Sequence, residues 1–345
     1  MGLFSKPDDF IISESGISKV EKVFVGGIEQ YILIQGESSK KPVLLFLHGG
    51  PSMPLPGVSC RGLDYTIITN VKKLVQHYTV VFWDQRGTGK SYNQSISQES
   101  MTIAQFIADA NELTEYLRKT FKQEKIFLVA HSWGTILGLK LITLYPEKFY
   151  SYVGISQIIN WSENDKICLK WAKEEANRRK NKRALKELIL VGEPPFVESF
   201  KQWGVLRKWQ ARFNSMIYSD RKIKHPGLLS VAKPMFQSKD YTLKDVYNSF
   251  HKGFKLIYTI DFINELPDVD FYRTSKEVDI PVTFIHGTKD VHVDGKLVEQ
   301  YFQMIHAKKG KQLIWMDKSA HIFHPEDTML IEQYLIEEQS HVLNQ

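Results

Sequence analysis

The feature that most constrains this sequence is a strand-sized apolar run that breaks into a serine and then directly into a helix. Ile126 to Ala130 is wholly apolar, and Leu128-Val129-Ala130-His131-Ser132-Trp133-Gly134-Thr135 leads into helix-forming sequence from about Gly134 to Tyr145, stopped by Pro146. A serine hydroxyl is a poor nucleophile and must be offered to a base and to a substrate carbonyl together. A sharp strand-to-helix turn does this, and the crowding there demands small residues around the serine. Gly134 meets the demand, and Ala130 stands where such turns usually carry glycine. The alternative for Ser132 is an ordinary helix N-cap.

The rest of the chain repeats the strand-and-helix alternation. Val20 to Val25 and Ile28 to Ile34 flank Gly26-Gly27 and predict a hairpin. Val43 to Leu47, Tyr78 to Trp83, Tyr152 to Ile155, Pro281 to His286 and Gln312 to Met316 read as further strands. Unbroken apolar strands belong to a sheet covered by helices on both faces. From Thr102 the residues Ile103, Phe106, Ile107, Ala110, Leu113 and Leu117 recur at helical spacing, with a capping-box pattern at Thr102 and Gln105. Gly295 to Ile305 and Pro325 to about Glu338 are the later helices. Between about Trp161 and Glu277 the alternation stops, and Lys, Arg and aromatic residues accumulate in helical patches. A stretch of that length is an inserted subdomain rather than a loop. The expectation is a doubly wound α/β core, mostly parallel, over 1–160 and 277–345, with a helical insertion over 161–276.

Three more signals fall at strand ends. His48-Gly49-Gly50-Pro51 follows the third strand, where glycines let backbone N–H groups approach a developing oxyanion. The expected donors are the N–H groups of Gly49, Gly50 and Trp133; a plain tight turn, pinned by a hydrogen bond from His48, is the alternative. Asp290 lies just past a strand in His286-Gly287-Thr288-Lys289-Asp290, and His321 follows the next strand in Ser319-Ala320-His321. An open α/β sheet presents groups at this carboxyl edge. Singly, Asp290 is also readable as a turn residue and His321 as a surface histidine. Together with Ser132 they predict a nucleophile, an orienting acid and a general base, with Asp294 and His324 as the fallback acid and base.

Composition narrows the remaining classes. The net charge of +6 is modest, and the clearest basic run, Arg178, Arg179, Lys180, Lys182 and Arg183, is flanked by Glu174, Glu175 and Glu187. That is a solvated helix face, and no nucleic-acid partner is expected. Cys60 and Cys168 are far apart, which excludes a disulfide framework and fits a reducing compartment. No run approaches the roughly 18 apolar residues of a membrane span, and no signal peptide opens the chain, so a cytoplasmic protein with no membrane partner is expected. No ligand cluster calls for a metal or an organic cofactor. The sequence leaves the oligomeric state open.

His48-Gly49-Gly50-Pro51, Asp84-Gln85-Arg86-Gly87-Thr88-Gly89-Lys90-Ser91 and the Ser132-Trp133-Gly134 turn together resemble the proline iminopeptidase branch of the α/β-hydrolases. The resemblance spans the core on both sides of the insertion, which sits where that family has a helical cap. It implies an α/β-hydrolase fold and an acyl-enzyme reaction on an N-terminal aminoacyl amide or short peptide, with the Asp84 to Ser91 segment structural. It also implies cap glutamates that hold a free amino terminus, one of them in a Trp-Glu pair. Here the comparable pair is Trp209-Gln210, which carries no charge, although Glu193, Glu198 and Glu265 are available; Ser52 stands where the family usually has glycine. Trp209, Gln210, Trp161 and Trp203 are the expected substrate contacts. A carboxylesterase or other small-acyl hydrolase on the same triad is the alternative function. An epoxide hydrolase or dehalogenase needs a carboxylate where Ser132 stands, and a non-enzymatic ligand receptor remains compatible with the fold.

Overall fold

The computed structural model describes residues 7–218 and 228–344. Eight strands form one sheet: β1 Ile17–Val25, β2 Ile28–Gly36, β3 Val43–Leu47, β4 Thr79–Asp84, β5 Ile126–His131, β6 Phe149–Ile155, β7 Val282–Gly287 and β8 Lys311–Met316. Their order is β1-β2-β4-β3-β5-β6-β7-β8. β1 pairs antiparallel with β2, and β2 with β4; the other neighbours are parallel. Gly26 and Gly27, with φ of 58° and 76°, make the tight turn that lets Val25 face Ile28. Positive φ at both positions is the geometry that favours glycine in two-residue hairpins.

Every residue of β3, β4, β5 and β7 is buried, whereas the edge strands β1 and β8 are partly exposed. That difference explains why the inner strands read as continuous apolar runs and why Ile17-Ser18-Lys19, at the exposed start of β1, does not. Successive side chains alternate between two layers. Val43, Leu45 and Leu47 pack on one face with Phe106 and Leu113 of α1 (Ile103–Phe121) and Ile136 of α2 (Trp133–Leu144). Leu44 and Phe46 pack on the other with Leu74, Ile331 and Leu335. The Thr102 side chain accepts from the Gln105 N–H as predicted, but the Gln105 amide turns away to Asp109, so the capping box is half formed.

Between β6 and β7 run α3 (Trp161–Arg178), α4 (Lys182–Leu190), α5 (Phe200–Arg212), α6 (Leu228–Gln237) and a series of shorter helical turns. Cys168, Leu169, Ala172, Leu188, Leu206, Trp209 and Phe213 form a core separate from the sheet's two layers. Further on, Val231, Met235 and Tyr241 join the layer of Leu44, while Phe262, Leu266 and Phe271 join that of Leu45. The basic run is a solvated surface: Arg178 and Arg179 pair with Glu175, and Arg183 with Glu187. The core closes with α7 (Gly295–Met304) before β8 and α8 (Pro325–Leu343) after it. Among the described residues, no helix is long and apolar enough to cross a membrane.

Asp84 and Arg86 hold loops together. Asp84 accepts from the N–H groups of Val58 and Lys90 and from the Tyr241 hydroxyl, at 2.8, 3.0 and 2.5 Å. Arg86 forms a buried bidentate pair with Asp109, both contacts at 2.8 Å.

Candidate active site

Ser132 ends β5 and begins α2 with φ 52° and ψ −119°, a conformation that non-glycine residues rarely hold. The surroundings keep it there. Its N–H donates to the carbonyl of Ile155 at 3.0 Å. A Cβ on Gly134 would lie 2.2 Å from the Leu47 carbonyl oxygen and 2.7 Å from that of His48, so only glycine lets α2 start this close to the β3 turn. Ala130 is accommodated, fully buried, at the position where glycine is more usual.

His321, after β8, reaches this turn. Its Nε2 lies 3.0 Å from Ser132 Oγ and its Nδ1 lies 2.8 Å from Asp290 Oδ2. Asp290 follows β7 and is anchored by four donors. Oδ2 also accepts from the Ser156 hydroxyl at 2.8 Å, while Oδ1 accepts from the N–H groups of His292 and Val293 at 2.8 and 3.0 Å. Burial alone would raise the Asp290 carboxyl. The facing His321, through its charge and then its hydrogen bond, outweighs this and holds the group well below the usual carboxylate range. The two fallback residues are helix caps instead. Asp294 accepts from the N–H groups of Lys296 and Leu297, and His324 Nδ1 from that of Glu326.

Around Ser132, Gly49 and Gly50 form the β3 turn. A Cβ on Gly49 would stand 3.2 Å from the Ser132 Cβ, and Gly50 has φ 119°. His48 pins the turn through Nδ1 to the Gly49 carbonyl at 2.6 Å and accepts from the Gln85 N–H at Nε2, 3.2 Å. Burial lowers its pKa to about 4, so the ring is neutral. Among the described residues no hydrogen bond engages the N–H groups of Gly49 and Gly50. Trp133 opens α2, where a helix N–H has no partner of its own. A hydroxyl, an imidazole, a carboxylate and available N–H donors thus share one sheet edge, an arrangement able to run acyl transfer.

The Ser132 side opens on a cavity of about 690 Å³, walled by Trp161, Trp203, Phe236, Phe250, Phe254 and Tyr258 and also lined by Asn164, Arg207 and His292. Tyr258 donates to the Gly50 carbonyl at 3.2 Å, joining a helix of the insertion to the β3 turn. Residues 216–218 do the same for His321: the N–H of Ile322 donates to Met216 O at 2.8 Å. No cluster of three or more His, Cys, Asp or Glu side chains among the described residues could hold a metal ion.

The family model described as the alpha/beta hydrolase fold matches residues 42–328, most of the chain. The chain belongs to the α/β-hydrolase fold family. A probable aminopeptidase, YbaC, of Bacillus subtilis (strain 168) is 29% identical over 96% of this α/β-hydrolase and 100% of its own length. A proline iminopeptidase of Lactobacillus crispatus (strain ST1) is 30% identical over 43% of this chain and 44% of its own. Among solved structures, a proline iminopeptidase-related protein of Thermus thermophilus superimposes with a TM-score of 0.59 at 15% identity, covering 94% of this chain and 98% of its own. An epoxide hydrolase of Vigna radiata gives 0.55 at 22%, covering 94% and 97%. At such identities the structural likeness shows the fold alone. The hydrolases among these relatives agree with the sequence resemblance to the iminopeptidase branch.

The α/β-hydrolase's insertion departs from expectation in one respect. Trp161 and Trp203 line the cavity, but Trp209 and Gln210 do not. Trp209 is packed into the separate core of the insertion, its Nε1 donating to Glu187 at 2.9 Å. Gln210 is fully buried, donating to Val291 O at 2.6 Å and accepting from Arg207 at 2.8 Å. Trp209 is out of phase with Trp203 and Arg207 on α5, whereas Gln210 shares their stripe one turn further along, where its amide is taken up by Arg207 and Val291. The glutamates lie elsewhere as well. Glu193 pairs with Lys173, Glu198 accepts from Gln202, and Glu265 accepts the Ile103 N–H. Arg207, His292, Tyr258 and Ser156 are the residues the sequence reading missed. Only Ser156 and His292 had a signal: one follows β6 at the carboxyl edge, and the other stands two residues after Asp290.

Proposed function

We propose that this α/β-hydrolase is a serine hydrolase that forms an acyl-enzyme on Ser132 and acts on small compounds with an apolar acyl part. The observation that carries the reading is the unbroken row Ser132 Oγ, His321, Asp290, with contacts of 3.0 and 2.8 Å, beside an aromatic cavity. In this reading His321 Nε2 takes the Ser132 proton as Oγ attacks the carbonyl carbon. Asp290 keeps the proton of His321 on Nδ1 and stabilises the imidazolium. The oxyanion is met by the N–H groups of Trp133 and of the Gly49-Gly50 turn. His321 then protonates the departing oxygen or nitrogen. Water, deprotonated by the same imidazole, attacks the acyl-enzyme and releases the acid. The division into a core, 1–160 and 277–345, and a cap, 161–276, belongs to this proposal, with the cap roofing the cavity.

Cleavage of N-terminal aminoacyl amides and short peptides is the second reading, favoured by the likeness to a probable aminopeptidase along 96% of the chain. Against it, among the described residues, no Asp or Glu side chain lines the cavity to meet a free α-ammonium. Two arylamides with one leaving group separate the readings: prolyl p-nitroanilide and its counterpart lacking the amine, cyclopentanecarbonyl p-nitroanilide. With the leaving group shared, faster release from the latter is expected; at least tenfold faster release from the prolyl compound would establish the second reading instead.

A further inference from the structure

Arg207 sets the charge of the cavity. Among the described residues that line it there is no Asp, Glu or Lys. Burial keeps His131 and His292 neutral, leaving the guanidinium as the permanent charge. Arg207 is held firmly: Nη2 donates to Asp165 Oδ1 at 2.8 Å, and Nη1 donates to Gln210 Oε1 at 2.8 Å and to His292 O at 3.4 Å. Asp165 is 1% exposed and Gln210 is fully buried, so both anchors are fixed by packing. A guanidinium has five N–H donors. The hydrogen bonds of the described residues leave the Nε–H and one Nη2–H unused.

We propose that Arg207 is a specificity residue that binds a carboxylate on the substrate, so that the cavity takes small acyl compounds carrying a second, unreacted carboxylate. The inference rests on reading this cavity as the substrate pocket. Three observations converge on it. The guanidinium offers donors in a planar fork that matches a carboxylate and is already stripped of most water. The aromatic wall of Trp161, Phe254 and Tyr258 suits the hydrocarbon chain between the two carboxyl carbons. And Trp203, a π surface that suits a substrate ammonium, already holds the Arg207 guanidinium, its Cζ 4.9 Å from the ring centroid. An ammonium group entering here meets the guanidinium first, because its partner Asp165 lies behind the wall, and no carboxylate lines the described part of the cavity. Burial pushes the Asp165 carboxyl up to about 6 against the pull of Arg207.

The test uses the full chain carrying Ser132→Ala, so that binding is read without turnover. Calorimetry compares three benzylamides of one shape: N-benzylsuccinamate (anionic), N-benzylsuccinamide (neutral) and the β-alanine benzylamide (cationic). The succinamate is expected to bind at least about tenfold more tightly than the neutral amide, with the cationic one weakest. Adding Asp165→Asn and Arg207→Gln together, which avoids stranding a buried charge, is expected to shrink the anion preference below about threefold. Arg207→Lys, which keeps the charge and loses the fork, is expected to weaken it partly. A cationic amide that binds as tightly as the succinamate, no succinamate binding, or an anion preference unchanged in the Arg207 variants would overturn the proposal. Hydrolysis of the succinamate by the unaltered protein is read separately: tight binding without turnover removes the serine-hydrolase reading and leaves the carboxylate site standing.

Discussion

The imidazole of His292 lies against that of His321, with ring centroids 5.5 Å apart and planes 29° apart, while the N–H of His292 donates to Asp290 Oδ1 at 2.8 Å. One residue therefore braces both the imidazole and the carboxylate of the row. His321 also packs against His131, 4.9 Å away and tilted by 37°, whose Nε2 lies 3.2 Å from the His321 carbonyl oxygen. Burial, with a smaller push from the His321 charge, lowers the His131 pKa to about 3, and burial likewise takes His292 well below the ordinary histidine range. Two neutral rings thus limit how far His321 can swing.

His292→Ala opens one face of His321. A stacked ring contact is worth about 0.5–1.5 kcal/mol, so kcat is expected to fall about tenfold with a smaller change in KM. His292→Phe keeps a ring face and is expected to stay within about threefold. Steady-state kinetics on an aryl ester check this, and unaltered kinetics in the alanine variant would remove the bracing role.

Asp290→Asn deprives Nδ1 of its carboxylate and is expected to lower kcat by about 10⁴, the scale known for serine proteases. Asp294→Asn is expected to leave kcat unchanged, because Asp294 caps α7 and asparagine caps as well. The same assay reads both. A large loss in the Asp294 variant with a near-normal Asp290 variant would exchange the two assignments.

Gly134→Ala places a Cβ 2.2 Å from the Leu47 carbonyl oxygen, a backbone atom that cannot move aside alone. Loss of about 1–3 kcal/mol of stability is expected, with activity lost as the Ser132 turn is pushed off the β3 turn. Urea denaturation reads the stability change; wild-type stability would mean that the close approach is not needed.

Asp84 gives the fold a pH signature. Burial pushes its carboxyl up to about 7, against the hydrogen bonds from Tyr241 and from the Val58 and Lys90 N–H groups. The folded state therefore holds the proton more tightly than the unfolded chain. Its contribution to stability is fully present below the ordinary carboxylate range and is lost as pH rises toward and through 7. Asp84→Asn lacks this titration. The melting temperature of the wild type relative to the variant is expected to fall between pH 4 and pH 8; a constant or rising difference would contradict the burial argument.

The sequence made the sheet and the row legible because both depend on local signals. Val43 to Leu47 and Ile126 to Ala130 are buried on both faces, so apolar content alone marks them. Ser132, Asp290 and His321 each fall within five residues of a strand end, and the carboxyl edge of a parallel sheet brings such positions together. The cavity wall was less legible. Helical spacing sets Trp209 apart from the stripe of Trp203, Arg207 and Gln210, but it does not tell which part of that stripe meets the cavity. The Arg207–Asp165 pair joins α5 to α3 across 42 positions, and only tertiary packing makes it.

The central claim is that the Ser132 hydroxyl is the activated nucleophile, and a fluorophosphonate probe tests it most directly. Stoichiometric labelling on the peptide that contains Ser132 is predicted, lost in Ser132→Ala and strongly slowed in His321→Ala. A folded wild-type protein that stays unlabelled, or labelling that persists in Ser132→Ala, would contradict it.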